Sequence, residues 1–157
     1  MVINYIPSVI HITESIPITS NNIDSLLLDK IKENIGNRCH KEGFIRKDTI
    51  NIIERSIGKI NSSHFNGTII YDCKVGVDIC NPLENDIIEC NVKGKNKMGI
   101  LGENGPLIIA LTKFHHQDMD IFDEIKNGDS IKVKVIDSQY DFLDKNIQVI
   151  AQYISTN

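Results

Sequence analysis

The stretch Cys73-Lys74-Val75-Gly76-Val77-Asp78-Ile79-Cys80-Asn81-Pro82 decides how this chain of 157 residues is organised. Its apolar residues alternate with Lys74, Gly76 and Asp78, which is the period of two expected of a half-buried β-strand. Asn81-Pro82 ends the strand, because proline has no N–H group to donate to a β-ladder. The sequence therefore predicts two domains, residues 1–81 and residues 82–157, that meet at this proline.

The first domain reads as an α+β lobe. Between Ile23 and Ile35 apolar residues recur every three or four positions, so they fall on one face of a helix. Asn22 is expected to cap the first turn, and Gly36 to adopt the left-handed conformation that often follows a helix. Stretches 8–18, 43–46 and 49–55 read as strands. One helix packed on a short antiparallel sheet would form the lobe.

The second domain reads as five strands separated by turns. Apolar stripes run through 86–93, 98–101, 107–112, 131–135 and 147–153, with turns expected at 94–96, 102–106 and 144–146. The connection from Lys113 to Asp129 is longer, carries an acidic cluster and is expected to hold one turn of helix. This order is that of an all-β, five-stranded OB barrel. Another small barrel with the same strand count stays open as the alternative.

Composition excludes several classes of protein. No apolar run approaches the roughly 20 residues of a membrane helix, and no basic stretch leads into an apolar core at the N-terminus. Secretion and membrane insertion are therefore not expected. The 17 basic and 21 acidic residues give a net charge of −4, which provides no electrostatic reason for tight DNA binding.

The cysteines indicate an intracellular protein. Cys39, Cys73, Cys80 and Cys90 form no CxxC pair and have no regular spacing. Four reduced, mostly buried thiols are therefore favoured over a disulfide or zinc framework.

No catalytic constellation is recognisable. The chain lacks GxxxxGKS/T, GxGxxG, GxSxG and HExxH. His115-His116, with Asp118 and Asp120 behind them, make a poor metal site, because adjacent histidines on a strand point to opposite faces. Cys39-His40 is an equally poor thiol–imidazole pair, since neighbours in sequence rarely point at each other. An enzyme is disfavoured, and no metal or other cofactor is expected.

A lysine-rich hairpin could bind RNA. Lys93, Lys95 and Lys97 alternate through the first hairpin of the expected barrel, which would place their ammonium groups near one face. Lys113 and His115, just after the third strand, are further candidate RNA contacts. OB barrels bind oligonucleotides on their second and third strands and the flanking loops. A hairpin that is lysine-rich only for solubility is the alternative, because the available rings lie outside those two strands.

The order of several short motifs resembles the stalk subunit of multisubunit DNA-directed RNA polymerases, which is the seventh subunit of RNA polymerase II and its archaeal counterpart. The similarity spans about Ser8 to Tyr153 and is carried by Leu26-Leu27-Leu28-Asp29-Lys30-Ile31, Gly43-Phe44-Ile45, Gly58-Lys59-Ile60, Gly67 to Asp78, and Pro82 with Asp86-Ile87-Ile88-Glu89-Cys90-Asn91-Val92. The chain departs from the family at Asn85 and Cys90, where glycine is common, and at Ile100, where an aromatic residue is frequent.

The resemblance implies a non-catalytic subunit that docks on the polymerase core near the base of the clamp, which the largest subunits form. The docking tip would be the loop Ser56 to Asn66, with the contact residues Ile57, Gly58, Lys59, Ile60, His64 and Phe65. Apolar side chains in a polar loop suit such a contact. Packing of Ile57, Ile60 and Phe65 onto the lobe's own core is the alternative.

The resemblance also implies that the barrel contacts emerging RNA weakly, in support of initiation and transcript handling. It further implies a small helical partner, such as the fourth subunit of RNA polymerase II or the archaeal protein that corresponds to it. The counts of 30 Ile, 16 Asn and 14 Lys against 2 Ala and 3 Arg indicate an AT-rich genome. Together with the short chain, this favours the version carried by a large DNA virus, located in a cytoplasmic factory or virion. A cellular member would be nuclear.

A second function stays open beside the stalk subunit. A free-standing OB-fold RNA-binding protein, acting in translation or RNA protection, would bind RNA on its own and would have no stable large partner. The first domain distinguishes the two, because a generic OB-fold protein has no need of an apolar-tipped domain ahead of its barrel.

Overall fold

The computed structural model describes residues 4–60, 66–116 and 120–156, apart from the side chains of His115 and Ile121. The strands are β1 (Ile6–Pro17), β2 (Arg38–His40), β3 (Gly43–Ile45), β4 (Asn51–Arg55), β5 (Thr68–Cys80), β6 (Ile87–Asn96), β7 (Gly99–Asn104), β8 (Leu107–Thr112), β9 (Ser130–Gln139) and β10 (Ile147–Thr156). The helices are α1 (Ile23–Ile35) and α2 (Asp120–Glu124), and 3-10 turns cover Lys47–Thr49 and Lys113–His115.

The N-terminal sheet is built on β5. Its order is β1-β5-β3-β2, and β4 also pairs with β5. The β1–β5 pairing runs without interruption from Ile6↔Ile79 to Pro17↔Thr68. Helix α1 covers one face of the sheet and buries Leu27, Ile31 and Ile35 against it. The α+β character of this part is confirmed, but the expectation of a short sheet is wrong, since β1 and β5 have 12 and 13 residues.

The bounds of α1 are confirmed, but its two expected caps are not. The Asn22 side chain makes no capping hydrogen bond, and Gly36 is extended with φ −64° and ψ 134°. Asn37 takes the left-handed conformation instead, with φ 54°. Gly36 is needed for space, because a Cβ atom there would lie 2.3 Å from the Lys32 carbonyl oxygen and 2.6 Å from Lys47 Cγ. Helix and 3-10 turn thus approach too closely for any side chain at position 36.

The second sheet is a closed barrel with the strand order β10-β8-β7-β6-β9. The five expected strands and the helical turn of the long connection are confirmed. The first turn lies later than the sequence predicts, because residues 94–96 still belong to β6. Gly102 illustrates the tightness of the core, since a Cβ atom there would lie 2.0 Å from the Sγ atom of Cys90.

Backbone hydrogen bonds join the N-terminal sheet to the barrel. The N–H of Cys39 donates to the Asp144 carbonyl at 2.7 Å, and the N–H of Leu143 donates to the Cys39 carbonyl at 2.7 Å. The sequence pattern does not predict β2, which supplies this contact. Cys39, Phe44 and Cys80 are buried in the same apolar cluster as the barrel residues. The barrel core therefore extends into the N-terminal sheet.

All four cysteines are buried free thiols, as expected. Burial is the largest cause that raises the pKa of Cys39, Cys80 and Cys90 to about 11. It also raises the pKa of Cys73. These thiols are therefore neutral at physiological pH and act as small apolar side chains.

His116 fills a gap in the barrel between β8 and β10. The β8–β10 pairing stops at Ala110↔Ile150. Beyond it, His116 Nε2 accepts a hydrogen bond from the Tyr153 N–H at 2.9 Å. Because Nε2 accepts, Nδ1 carries the ring proton and donates it to the Thr112 carbonyl at 2.7 Å. The ring also meets Phe122 edge-on, with the centroids 4.8 Å apart. One side chain therefore substitutes for the missing ladder.

We predict that His116→Ala lowers the free energy of unfolding by about 2 kcal/mol. The substitution leaves a partly buried N–H and carbonyl without partners, and such losses cost about 1–3 kcal/mol each when water cannot replace the bond. Urea denaturation followed by circular dichroism measures the change. The matched control is His11→Ala at an exposed position of β1, which should change stability by less than about 0.5 kcal/mol. Equal stability of the two variants would refute the closing role of His116.

Candidate docking and RNA-binding surfaces

Residues 56–60, the tip segment, extend the N-terminal sheet beyond β4. The N–H of Ser56 donates to the Asp72 carbonyl at 2.8 Å. Lys59 and Ile70 exchange two backbone hydrogen bonds of 2.9 and 2.8 Å. The tip segment therefore runs antiparallel to β5 and is held by the backbone.

The tip segment presents two isoleucines to solvent. Ile57 is 88% exposed and Ile60 is 55% exposed. The alternative that these side chains pack onto the lobe's own core is wrong for both. The predicted contacts His64 and Phe65 lie outside the described residues. The part of the tip that is described thus offers apolar side chains on a fixed backbone.

The absence of a side chain at Gly58 lets the tip segment approach β5 closely. A Cβ atom at this position would lie 2.4 Å from Ile69 Cγ2 and 2.9 Å from Tyr71 Cζ. The neighbouring Lys59 ammonium is 4.0 Å from the Asp72 carboxylate, and both side chains are mostly exposed. Such a surface pair contributes little to stability. Close backbone packing, rather than charge, fixes the segment.

Arg55 anchors the base of the tip segment. Its Nε donates to the Asp24 carboxylate at 2.6 Å, which joins β4 to the first turn of α1. The guanidinium also lies 5.3 Å from the centroid of the Tyr71 ring. The hydrogen bond to Asp24 is the largest cause that raises the pKa of Arg55.

The three hairpin lysines do not share one face, so that part of the prediction is wrong. A β-bulge between Val92 and Gly94 shifts the register at Lys93. The Lys93 ammonium pairs with Glu103 at 3.0 Å. Lys95 is paired with the buried Ile100, and its ammonium donates to the Ile125 carbonyl at 3.4 Å. The bulge therefore separates Lys93 from Lys95, and each has a partner within the protein.

A different basic and apolar cluster forms at one end of the barrel. The N–H of Lys113 donates to the Met98 carbonyl at 3.2 Å, which brings the 3-10 turn beside the exposed Lys97. Met98 is 69% exposed and Phe114 is 88% exposed. His115 belongs to the same turn, but its side chain lies outside the described part of the chain. Lys97, Met98, Lys113 and Phe114 form what we call the barrel-end cluster.

Lys97 and Lys113 are candidate RNA contacts from the sequence, but the sequence pattern does not predict that they lie close together. Phe114 is one of the rings that lie outside the second and third barrel strands, so its position in the sequence does not mark it as part of a stacking surface. The pairing of Gly99 with Thr112, which sets the two turns side by side, is a property of register. The sequence signal that could have predicted the barrel-end cluster is an aromatic residue beside a lysine in one turn, with a second lysine in the turn that adjoins it.

Cys39-His40 shows no catalytic geometry. The His40 ring packs against Phe142 with the centroids 5.2 Å apart, and its buried Nδ1 has no hydrogen-bond partner among the described residues. Burial, followed by the charge of Lys41, lowers the pKa of His40. Since the neighbouring thiol has a pKa of about 11, it is a poor nucleophile.

The described residues hold neither a metal cluster nor a membrane helix. Among them, no group of three or more His, Cys, Asp or Glu side chains is arranged to hold a metal ion. None of the described helices is long and apolar enough to cross a membrane.

Comparison with known proteins identifies a family. No protein-family model matches the chain. Over 146 residues, however, it is 30% identical to a protein of Acanthamoeba polyphaga mimivirus named "putative DNA-directed RNA polymerase subunit". The alignment covers 85% of this chain and 72% of the viral protein. The chain belongs to the same family as this DNA-directed RNA polymerase subunit of a large DNA virus.

We predict that Gly58→Ala displaces the tip segment. The added methyl group would overlap Ile69 and Tyr71, so the Lys59–Ile70 hydrogen bonds should open. Amide hydrogen exchange at Lys59 and Ile70, measured by NMR, should become at least about tenfold faster, since fewer closed states protect them. Gly94→Ala is the matched control, because a Cβ atom there meets open space. Unchanged protection in Gly58→Ala would show that the contact does not hold the segment.

Proposed function

We propose that the chain is a non-catalytic stalk subunit of a DNA-directed RNA polymerase. Residues 1–81 would form a docking domain that attaches to the polymerase core near the base of the clamp. Residues 82–157 would form an OB-fold domain that projects towards emerging RNA. The family relationship to a viral polymerase subunit supports membership of the assembly, and the geometry of the tip segment supports the mode of attachment.

The tip segment is the observation that carries the docking proposal. Two isoleucines that a monomer leaves in water lie on a backbone tied to β5 by hydrogen bonds. An apolar anchor that is already ordered loses little conformational entropy on binding, which favours affinity. Removal of Ile57 and Ile60 from water at the interface would supply the free energy. His64 and Phe65 are proposed as further contacts from the sequence alone.

We propose that the barrel and the docking domain move as one rigid unit. The Cys39–Leu143 and Cys39–Asp144 hydrogen bonds and the shared apolar cluster oppose independent motion of the two parts. A docked tip would therefore fix where the barrel stands relative to the RNA exit. We propose that RNA contacts there are weak and support initiation and transcript handling. The small helical stalk partner and the location in a viral factory or virion belong to the same proposal.

We predict that Ile57→Asp and Ile60→Asp each abolish association with the polymerase core. A buried unpaired carboxylate at the interface costs far more than the apolar contact it replaces. Tagged variants purified from infected cells should lose the two largest polymerase subunits, as measured by quantitative mass spectrometry. Both variants should keep the wild-type circular dichroism spectrum and a melting temperature close to that of the wild type, because more than half of each changed side chain is exposed.

Leu101→Asp is the matched control for this experiment. Leu101 is 49% exposed, which is close to Ile60, but it lies on β7 of the barrel. It should retain the core subunits. Retention by the tip variants as well would refute docking through the tip segment, and loss by all three would show a general effect of surface charge.

A free-standing RNA-binding protein is the second candidate, and the barrel-end cluster favours it. Phe114 offers a ring on which a base could stack, and Lys97 and Lys113 could meet the flanking phosphates. Lys93 and Lys95 are weaker candidates, since their ammonium groups already have partners. This function requires appreciable RNA affinity in isolation and no recovery of polymerase subunits.

We predict that the Lys97→Glu/Lys113→Glu double variant weakens binding of single-stranded RNA more than Lys93→Glu/Lys95→Glu does. Loss of two phosphate contacts should reduce the slope of log affinity against log salt by about 1.4. Phe114→Ala should weaken binding by roughly tenfold, because a stacked base contributes about 1–3 kcal/mol. Fluorescence anisotropy with a labelled oligouridine measures both effects.

Each control variant makes the same change in charge, or removes the same kind of ring, as the test variant with which it is compared. Lys132→Glu/Lys134→Glu changes two exposed lysines of β9, and Phe142→Ala removes a ring that is 57% exposed near the N-terminal sheet. Neither should alter RNA affinity beyond about twofold, apart from the general effect of net charge. Equal losses in test and control variants would remove the barrel-end cluster as an RNA site.

A further inference from the structure

Three asparagines of the chain are followed by glycine, in the pairs Asn66-Gly67, Asn104-Gly105 and Asn127-Gly128. In such a pair the backbone nitrogen of the glycine can attack the amide carbon of the asparagine side chain, because glycine has no Cβ atom to hinder the approach. Asparagine is a thermolabile residue for this reason. The sequence motif is the same at all three sites, so their surroundings in the fold determine which of them reacts.

Two of the three pairs are restrained by hydrogen bonds. The N–H of Gly128 donates to the Val92 carbonyl at 2.8 Å, so the nitrogen that would attack is engaged. The Asn104 side chain is half-buried, and its Nδ2 donates to the Glu89 carbonyl at 2.8 Å, so the nitrogen that would leave is engaged. A hydrogen bond has to break before either pair reacts, and this slows the reaction.

The pair Asn66-Gly67 has neither restraint. Asn66 is exposed, and neither its Nδ2 nor the Gly67 N–H has a hydrogen-bond partner among the described residues. A Cβ atom at position 67 would meet no atom of the described chain within 4 Å, apart from its two neighbours in sequence. Solvent therefore reaches both the nitrogen that attacks and the nitrogen that leaves.

The oxygen of the Asn66 side chain is held and polarised by Thr68. Oδ1 accepts a hydrogen bond from the Thr68 N–H at 3.3 Å and another from the Thr68 hydroxyl. These bonds hold the side chain beside the backbone of Gly67. Donors at a carbonyl oxygen also stabilise the negative charge that develops there when a nucleophile adds to the carbon. The two bonds therefore favour attack at Asn66 Cγ.

We propose that Asn66 is a site of spontaneous deamidation, with water as the co-reactant. The Gly67 nitrogen loses its proton to base and bonds to Asn66 Cγ, and the Cγ–Nδ2 bond breaks with release of ammonia, which takes up that proton. The cyclic imide that forms then adds one water molecule. Cleavage of the bond from the Gly67 nitrogen to Cγ gives aspartate, and cleavage of its bond to the backbone carbonyl carbon of residue 66 gives isoaspartate.

The reaction changes the start of β5. Either product places a carboxylate at position 66, two residues before the strand begins at Thr68. Isoaspartate also adds a methylene group to the backbone, which displaces Gly67. The Gly67 carbonyl accepts from the Ile18 N–H at 2.9 Å, next to Pro17↔Thr68, the last pair of the β1–β5 ladder. Isoaspartate at position 66 therefore opens this end of the ladder.

Peptide mapping of the aged full-length protein tests the proposal with two internal controls. The folded protein is incubated at neutral pH and physiological temperature for several weeks. Trypsin then releases the three pairs on separate peptides, residues 60–74, 98–113 and 127–132, because each is bounded by lysines. Liquid chromatography with mass spectrometry measures aspartate and isoaspartate in each peptide. Asn66 should deamidate at least about fivefold faster than Asn104 and Asn127, because no hydrogen bond has to break there.

Two comparisons separate the effect of the fold from that of the sequence. In urea-unfolded protein the three rates should lie within about threefold of one another, because the hydrogen bonds that distinguish the sites are absent. In folded Thr68→Val, which lacks the hydroxyl donor, Asn66 should deamidate at least about threefold more slowly. Thr68→Ser keeps the hydroxyl and is the matched control, with an expected change below about twofold. Unchanged rates at Asn104 and Asn127 in the same samples show that both variants are folded.

A further measurement follows the change at the start of β5. The isoaspartate form is separated from the amide form by ion exchange, and amide hydrogen exchange at Ile18 is measured in each form by NMR. The exchange should be at least about tenfold faster in the isoaspartate form, since the bond to the Gly67 carbonyl has opened. Equal exchange in the two forms would refute the displacement of Gly67.

Three results would overturn the proposal in whole or in part. If Asn66 deamidates no faster than Asn104 and Asn127 in the folded protein, it is not the preferred site. If the same difference persists in urea, local sequence and not the fold is its cause. An equal or faster rate at Asn66 in Thr68→Val would contradict activation by the Thr68 hydroxyl.

Discussion

The pairing of β5 with β1 is the interaction on which the rest of the molecule depends. It joins 12 consecutive residue pairs and brings together two segments more than 50 residues apart in the chain. On its other edge β5 pairs with β3, β4 and Lys59 of the tip segment. Every strand of the N-terminal sheet except β2 therefore contacts β5 directly. Helix α1 then has a continuous apolar surface to cover, and the exposed tip isoleucines have a fixed base.

A second constraint acts where the two sheets meet. Strand β2 has only three residues, yet its central Cys39 exchanges backbone hydrogen bonds with Leu143 and Asp144 and is buried with the barrel core. Tyr140 adds a bond from its hydroxyl to the Lys41 carbonyl, and Ser138 adds one to the Pro82 carbonyl. These contacts oppose relative motion of the N-terminal sheet and the barrel, which is what the stalk role proposed above would require.

Periodicity determines what the sequence can predict. The 3.6-residue pattern of α1 and the stripe from Cys73 to Ile79 depend only on which face is buried, so both are predicted correctly, as are the five barrel strands. Features that depend on contacts between distant segments are not. The bulge at Lys93 separates this residue from Lys95, although the two alternate in sequence. Strand β2 has no apolar pattern that would predict it, because it is held by its hairpin with β3 and by the loop that contains Leu143 and Asp144. Gly36 is a mixed case, since one neighbour that excludes a Cβ atom, the Lys32 carbonyl oxygen, belongs to the helix, and the other, Lys47, lies outside it.

The packing of Gly102 beneath Cys90 has a consequence for how the family can vary. The Cys90 sulfur occupies the volume that a side chain at position 102 would need, since a Cβ atom there would lie 2.0 Å from it. The side chains at positions 90 and 102, on the neighbouring strands β6 and β7, therefore compete for the same space in the core. In a relative with glycine at the first position the sulfur no longer fills this volume, and a methyl group at the second then needs only a small shift of the Asn91 carbonyl, which lies 3.0 Å from the Cβ position. A bulky residue at both positions would force β6 and β7 apart. In an alignment of the family, positions 90 and 102 should therefore vary together, so that a larger residue at one position is accompanied by a smaller residue at the other.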